Sequence, residues 1–156
     1  MATNSHVEGL GFSSSHLFSP LELVDRIPRS DAAANTVSES REIIENILKG
    51  QDERLMVVTG PCSIHDEEAA LDYARRLIDL RSKLGDKMYV VMRVYFEKPR
   101  TTVGWKGFIN DPSLDESYNI PEGLSKARRL LQEINDMGMP AASEFLDPVV
   151  PHYIED

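Results

Sequence analysis

The chain has 156 residues, 41% hydrophobic and 28% charged, with a net charge of −9. That is enough apolar sequence for one ordinary globular core, and too much for a disordered tail. No apolar run approaches the roughly 18 residues of a membrane span, and so acidic a chain is a poor holder of nucleic-acid backbones. Neither a membrane nor a nucleic acid is therefore an expected partner. The single cysteine, Cys62, allows no internal disulfide and suits a reducing, cytoplasmic compartment. The first residues lack the basic-then-apolar order of a secretory leader.

In chain order, residues 1–20 hold five serines and one charged side chain, Glu8, and read as a flexible arm with nothing to pack. Pro20 then opens a short helix or turn, with Leu21, Leu23 and Val24 as its docking face. Ser38 is a candidate cap for a helix that Gly50 ends, with Ile43, Ile44, Ile47 and Leu48 on one face. Residues 21–52 are thus a helical extension, and from residue 53 the pattern changes. Leu55–Val58 is an apolar strand stopped by Gly60-Pro61. Asp66 caps a helix in which Ala69, Ala70, Tyr73, Ala74, Leu77, Ile78 and Leu84 recur at helical spacing up to Gly85. Tyr89–Tyr95 is the next strand and residues 96–119 a long loop. Pro121 starts a helix bearing Leu124, Ala127, Leu130, Leu131, Ile134 and Met137, closed by Gly138. Ala141–Leu146 is a third strand, and Val150 begins another helix.

Strand and helix alternating in this way imply an α/β fold with a parallel sheet and right-handed crossovers. The architecture is either an open doubly wound sheet or a (β/α)8 barrel. A (β/α)8 barrel takes about 250 residues. If it is a barrel, residues 53–156 are only its first part, about three βα units, ending inside the third helix.

Charge is unevenly spread. Residues 93–106 read RVYFEKPRTTVGWK, with Arg93, Lys98, Arg100 and Lys106 against the single acid Glu97. A basic island in an acidic chain suits a small anion such as a phosphate or carboxylate, and its bland alternative is a solvated loop. Cys62 and His65 follow the first strand, Arg93 lies in the second with Lys98, Arg100 and Thr101 just after it, and Glu144 ends the third. All fall toward the C-terminal ends of parallel strands, where α/β folds place their sites.

Each residue also has a structural reading. Cys62 is a soft metal ligand, a nucleophile or an inert thiol. His65 is a ligand or a neighbour of the helix cap. Arg93, flanked by Val91, Met92 and Val94, either pairs with Glu97 or Glu144 or grips a ligand carboxylate or phosphate. Lys98 is a Schiff-base lysine, a proton donor or a phosphate contact. Arg100-Thr101 offers guanidinium, hydroxyl and N–H groups together, as a phosphate monoester requires, and Trp105 is a loop anchor. The glycine patterns of dinucleotide and P-loop sites are missing.

GPCSIHD at 60–66, VMRVYFEKPRTTVGWKG at 91–107, INDP at 109–112 and EFLDP at 144–148 closely resemble the type I 3-deoxy-D-arabino-heptulosonate 7-phosphate (DAHP) synthases. The resemblance runs from about Leu23 to the last residue. It implies a (β/α)8 barrel with an N-terminal extension, a divalent metal (Mn, Fe, Co or Zn) and condensation of phosphoenolpyruvate with erythrose 4-phosphate, the first step of aromatic amino-acid synthesis. By motif, Cys62 matches the cysteine metal ligand and Arg93 a contact of the phosphoenolpyruvate carboxylate. Lys98 matches a lysine on the erythrose 4-phosphate carbonyl, Arg100 and Thr101 match contacts of its phosphate, and Pro99 between them is counted as substrate-binding. Glu144 matches a glutamate ordering water. The arm and residues 145–153, with Pro148 and His152, resemble regions of subunit contact and feedback inhibition by an aromatic amino acid, so a homo-oligomer is expected. The family's remaining metal ligands and phosphate-gripping residues have no counterpart in this stretch, so the segment alone is expected to be inactive. Two other functions fit the residues: a metal-free Schiff-base aldolase using Lys98, and a non-catalytic anion-binding or oligomerisation module.

Overall fold

The computed structural model describes residues 16–155, so most of the predicted arm lies outside the described residues. Ser19 caps α1 (Pro20–Arg26) through a capping box with Glu22. Just before it, Phe18 is buried edge-on against Tyr153, whose hydroxyl donates to the Phe18 carbonyl at 2.9 Å. This corrects the expectation that nothing before Pro20 packs: one aromatic ring outweighs the serines around it. On α1 only Leu23 is fully buried, while Leu21 points to solvent.

Helix α2 (Asp31–Leu48) starts at Ser30, not Ser38. The Ser30 hydroxyl accepts from Ala33 N–H and donates to the Asp136 carboxylate, and Thr36 Oγ1 donates to the Asn135 carbonyl at 2.8 Å. The first turns are therefore held by tertiary contacts that carry no apolar stripe.

Three parallel strands follow, β1 (Leu55–Thr59), β2 (Met88–Arg93) and β3 (Ala141–Ala142), in that spatial order. Between them lie α3 (Glu67–Leu84), capped by Asp66, and α4 (Ile120–Asp136), capped by Asn119 with Pro121 in its first turn. The two-residue β3 is shorter than predicted, because its ladder to β2 covers only Met92↔Ala141 and Arg93↔Ala142. Ser143 and Glu144 therefore lie beyond the strand. Helix α5 (Pro151–Ile154) closes the described chain.

The strand period of two sorts β2 into two faces. Val90, Met92 and Val94 join the core with Ala74 and Leu77 of α3 and Leu124, Leu130 and Ile134 of α4. Burying each of those leucines and isoleucines contributes about 1.5–3 kcal/mol. Tyr89, Val91 and Arg93 take the other face. There Tyr89 donates to Ser40 of α2 at 2.8 Å and lies under the guanidinium groups of Arg54 and Arg81. No described helix is long and apolar enough to cross a membrane.

Candidate functional site

The site begins at a close approach of two backbones. A side chain on Gly60 would put its Cβ 2.3 Å from the Arg93 carbonyl oxygen, so only glycine lets the turn after β1 lie against the end of β2. Ile64 N–H donates to the Tyr95 carbonyl at 2.8 Å, and Ser63 Oγ donates to the same oxygen at 3.2 Å. Cys62 is thereby held exposed beside Arg93.

The loop after β2 is pinned in a similar way. Glu97 and Gly107 form an antiparallel bridge, and Lys98 N–H donates to the Lys106 carbonyl at 2.9 Å. Gly107 has φ 111°, and a Cβ there would meet the Phe96 carbonyl oxygen at 2.3 Å. Trp105 packs against the core and donates to the Asp111 carbonyl at 2.8 Å, so it anchors the loop as its structural reading held.

These constraints bring distant motifs around one cavity of about 420 Å³, lined by Cys62, Arg93, Tyr95, Glu97, Lys98, Pro99, Arg100 and Glu144. A larger cavity, about 520 Å³, opens between α2, α4 and residues 140–145, and its walls include Val37, Ile44, Leu131 and Phe145. The larger cavity also holds Arg29, Arg41, Arg128 and Glu155. The smaller one brings a thiol, a lysine, two arginines and two carboxylates together at the strand ends, the arrangement typical of a reactive site.

Lys98 Nζ lies 2.9 Å from Cys62 Sγ, and Arg93 Nη2 donates to the Cys62 carbonyl at 3.1 Å. The hydrogen bond from Lys98 and then its charge hold the Cys62 thiol below its ordinary value, with Arg93 and Arg100 adding to the effect. Arg93 pairs with neither Glu97 nor Glu144 among the described ion pairs. Its guanidinium carbon instead lies 4.0 Å from the centre of the Tyr95 ring, and its Nε is buried without a hydrogen-bond partner.

Glu97 is the odd group on this wall. Burial, then the nearby Asp147 and Glu144 carboxylates, raise its pKa, and contacts with Asn110 and Leu146 N–H offset only part of this. Its Oε2 is also buried without a partner. Tyr95 and Glu97 line the cavity without having been assigned a site role from sequence. The signal was present, since Arg93, Tyr95 and Glu97 stand two apart along extended chain.

Thr101 and His65 are exposed and do not line the cavity. Neither do Pro148 and His152, the latter with Nδ1 at 3.3 Å from Glu155 Oε1. No three histidine, cysteine or acidic side chains among the described residues converge as metal ligands. Cys62 offers one donor with thiolate character, which by itself does not make the roughly three-donor set of a catalytic metal site.

Comparison with known proteins decides what this arrangement belongs to. The model of the DAHP synthetase I family matches residues 31–156. The chain belongs to that family. It is 58% identical over 140 residues to the Phe-sensitive phospho-2-dehydro-3-deoxyheptonate aldolase of Escherichia coli K12, covering 90% of this chain and 40% of that protein. The Tyr-sensitive aldolase of Salmonella typhimurium is 54% identical over 140 residues, with 90% and 39% covered. Among solved structures, the Francisella tularensis phospho-2-dehydro-3-deoxyheptonate aldolase superposes with a TM-score of 0.88 at 50% identity, over 91% of this chain and 42% of that one. The chain thus spans about two fifths of the length of these DAHP synthetase relatives.

Proposed function

We propose that this chain carries the aldose-phosphate side, and part of the enolpyruvate side, of a site that condenses phosphoenolpyruvate with erythrose 4-phosphate. The bond formed joins C3 of phosphoenolpyruvate to the aldehyde carbon. Water adds at C2, the C2–O bond to phosphate breaks, and DAHP and inorganic phosphate leave. This is the entry reaction of the shikimate pathway. The observation that carries the reading is the convergence of Arg93, Lys98 and Arg100 on one cavity, in a chain whose net charge is otherwise acidic. Both substrates are anions, and a cation-lined cleft concentrates anions.

In this reading Arg93 binds the enolpyruvate carboxylate through its unused donors. Lys98 faces the aldehyde oxygen and donates to it as it becomes an alkoxide. Pro99 frames the aldose, and Arg100 and Thr101 contact its phosphate. Glu144 orders the water. Cys62 is one ligand of a divalent metal whose Lewis acidity polarises the substrate when bound. The donors among the described residues do not complete that centre. A Schiff base on Lys98 needs a free amine, and an amine hydrogen-bonded to a thiol of lowered pKa is a poor candidate.

The finer architecture follows the same reading. Residues 21–52 are an extension, and residues 53–156 supply the first βα units of a (β/α)8 barrel. The protein is a cytoplasmic homo-oligomer whose feedback inhibitor is an aromatic amino acid, bound near Pro148 and His152. Relatives of similar identity are named for different effectors, so identity alone selects none. The test is phosphate release by the complete gene product, with both substrates and a divalent metal. Release that needs both substrates is expected. A borohydride-trapped adduct on Lys98, or phosphate-analogue binding without turnover, overturns it in favour of the aldolase or module reading.

A further inference from the structure

Arg93 is the only residue of the basic island inside the sheet, and its hydrogen bonds leave it under-determined. One donor, Nη2, reaches the Cys62 carbonyl at 3.1 Å, and Nε has no partner. A guanidinium at the end of four rotatable single bonds needs something to fix its plane if it is to meet a planar carboxylate edge-on. That surface is the ring of Tyr95, two residues on along the same extended chain, with the Arg93 guanidinium carbon 4.0 Å from its centroid. The ring occupies the face of the cation and takes up none of its N–H donors, of which only Nη2 is engaged, by the Cys62 carbonyl. Tyr95 is itself held from behind, its carbonyl accepting from both Ser63 Oγ and Ile64 N–H. The phenol hydroxyl makes no hydrogen bond among the described residues, so the ring and not the hydroxyl is the working part.

We propose that Tyr95 is a positioning residue whose ring presets the Arg93 guanidinium for the carboxylate of the enolpyruvate substrate. This rests on the proposed role of Arg93. The chain of support runs from the 60–66 turn through the Tyr95 backbone to its ring, and from the ring to Arg93. It explains why a half-exposed tyrosine stands among charged groups on a cavity wall.

The test is made in the complete gene product with its divalent metal, by steady-state kinetics and by calorimetric binding of phosphoenolpyruvate. Tyr95→Leu is expected to raise the KM and Kd for phosphoenolpyruvate about 2- to 30-fold, the range of a partly desolvated cation–π contact. The turnover number and the KM for erythrose 4-phosphate stay near the wild-type values. Tyr95→Phe keeps the ring and restores wild-type behaviour, and Tyr95→Trp, with the stronger π face, does the same should the leucine variant fold poorly. Two results overturn the inference while leaving Arg93's role intact: Tyr95→Leu and Tyr95→Trp both binding like wild type while Arg93→Ala binds weakly, or Tyr95→Phe being as impaired as Tyr95→Leu. If Arg93→Ala binds phosphoenolpyruvate like wild type, the carboxylate role of Arg93 fails, and the inference with it.

Discussion

Lys98 Nζ stands 2.9 Å from Cys62 Sγ, joining the turn after β1 to the loop after β2 across the mouth of the cavity. The pair makes the thiol more acidic than an ordinary cysteine, whose reference value is 9.0. The thiolate is the reactive form. Cys62 in chelator-treated protein should therefore alkylate readily at neutral pH. Lys98→Met should slow that reaction and move its pH midpoint upward. Iodoacetamide labelling followed by mass spectrometry across pH 6–10 reads both, and identical pH profiles for the two proteins would remove Lys98 as the cause.

Lys98 and Arg100 share the cavity but not a task. Arg100→Ala should raise the KM for the aldose phosphate, because a phosphate contact is made equally in the ground and transition states. Lys98→Ala should lower the turnover number, because its hydrogen bond strengthens only as the alkoxide forms. Losing one such donor in other enzymes costs about 2.7–4 kcal/mol, or two to three orders of magnitude in rate. Matching kinetic defects in the two variants would show that the division is wrong.

Glu97 makes the site sensitive to pH in a direction opposite to most carboxylates. Its pKa is raised above the ordinary 4.5 by burial and by the Asp147 and Glu144 charges. The folded chain therefore holds that proton more tightly than the unfolded chain does. The stabilisation is fully present below the unfolded value and is lost as pH rises through the folded one. Glu97→Gln should match wild type in urea midpoint at low pH and exceed it above this window. Parallel stability curves for the two proteins across pH 4–8 would mean that Glu97 ionises freely.

Much of this was legible in the sequence, for reasons that are themselves physical. Helices α3 and α4 announced themselves through Asp66, Pro121 and a continuous apolar stripe, all local signals. The start of α2 did not, because Ser30 and Thr36 are held by Asp136 and Asn135 from a helix about a hundred residues away. Cys62, Arg93, Lys98 and Arg100 stood out as unusual residue types at strand ends. Tyr95 looked like one more strand aromatic, since a ring's stacking partner depends on which face the strand turns to the cavity. Glu97 looked like a counter-ion, and only its buried, unpartnered Oε2 marks it as something else.

The last prediction concerns the 156-residue polypeptide made alone. Its β1 strand pairs with β2 on one side only and exposes Leu55 and Val58, which are 61% and 47% accessible. At the other edge Phe145 and Leu146, just after β3, are 47% and 41% accessible. Unpaired strand edges carrying apolar side chains template further pairing. With one metal donor and part of a substrate site, the polypeptide should show no turnover, and it should self-associate. Sedimentation velocity at several concentrations, alongside phosphate release with both substrates and a divalent metal, tests both halves. Leu55→Lys with Val58→Lys should shift the distribution toward monomer, since two added charges on the free edge repel a second copy. A wild-type polypeptide that is a single monomeric species and releases phosphate in a metal-dependent way would defeat the prediction outright.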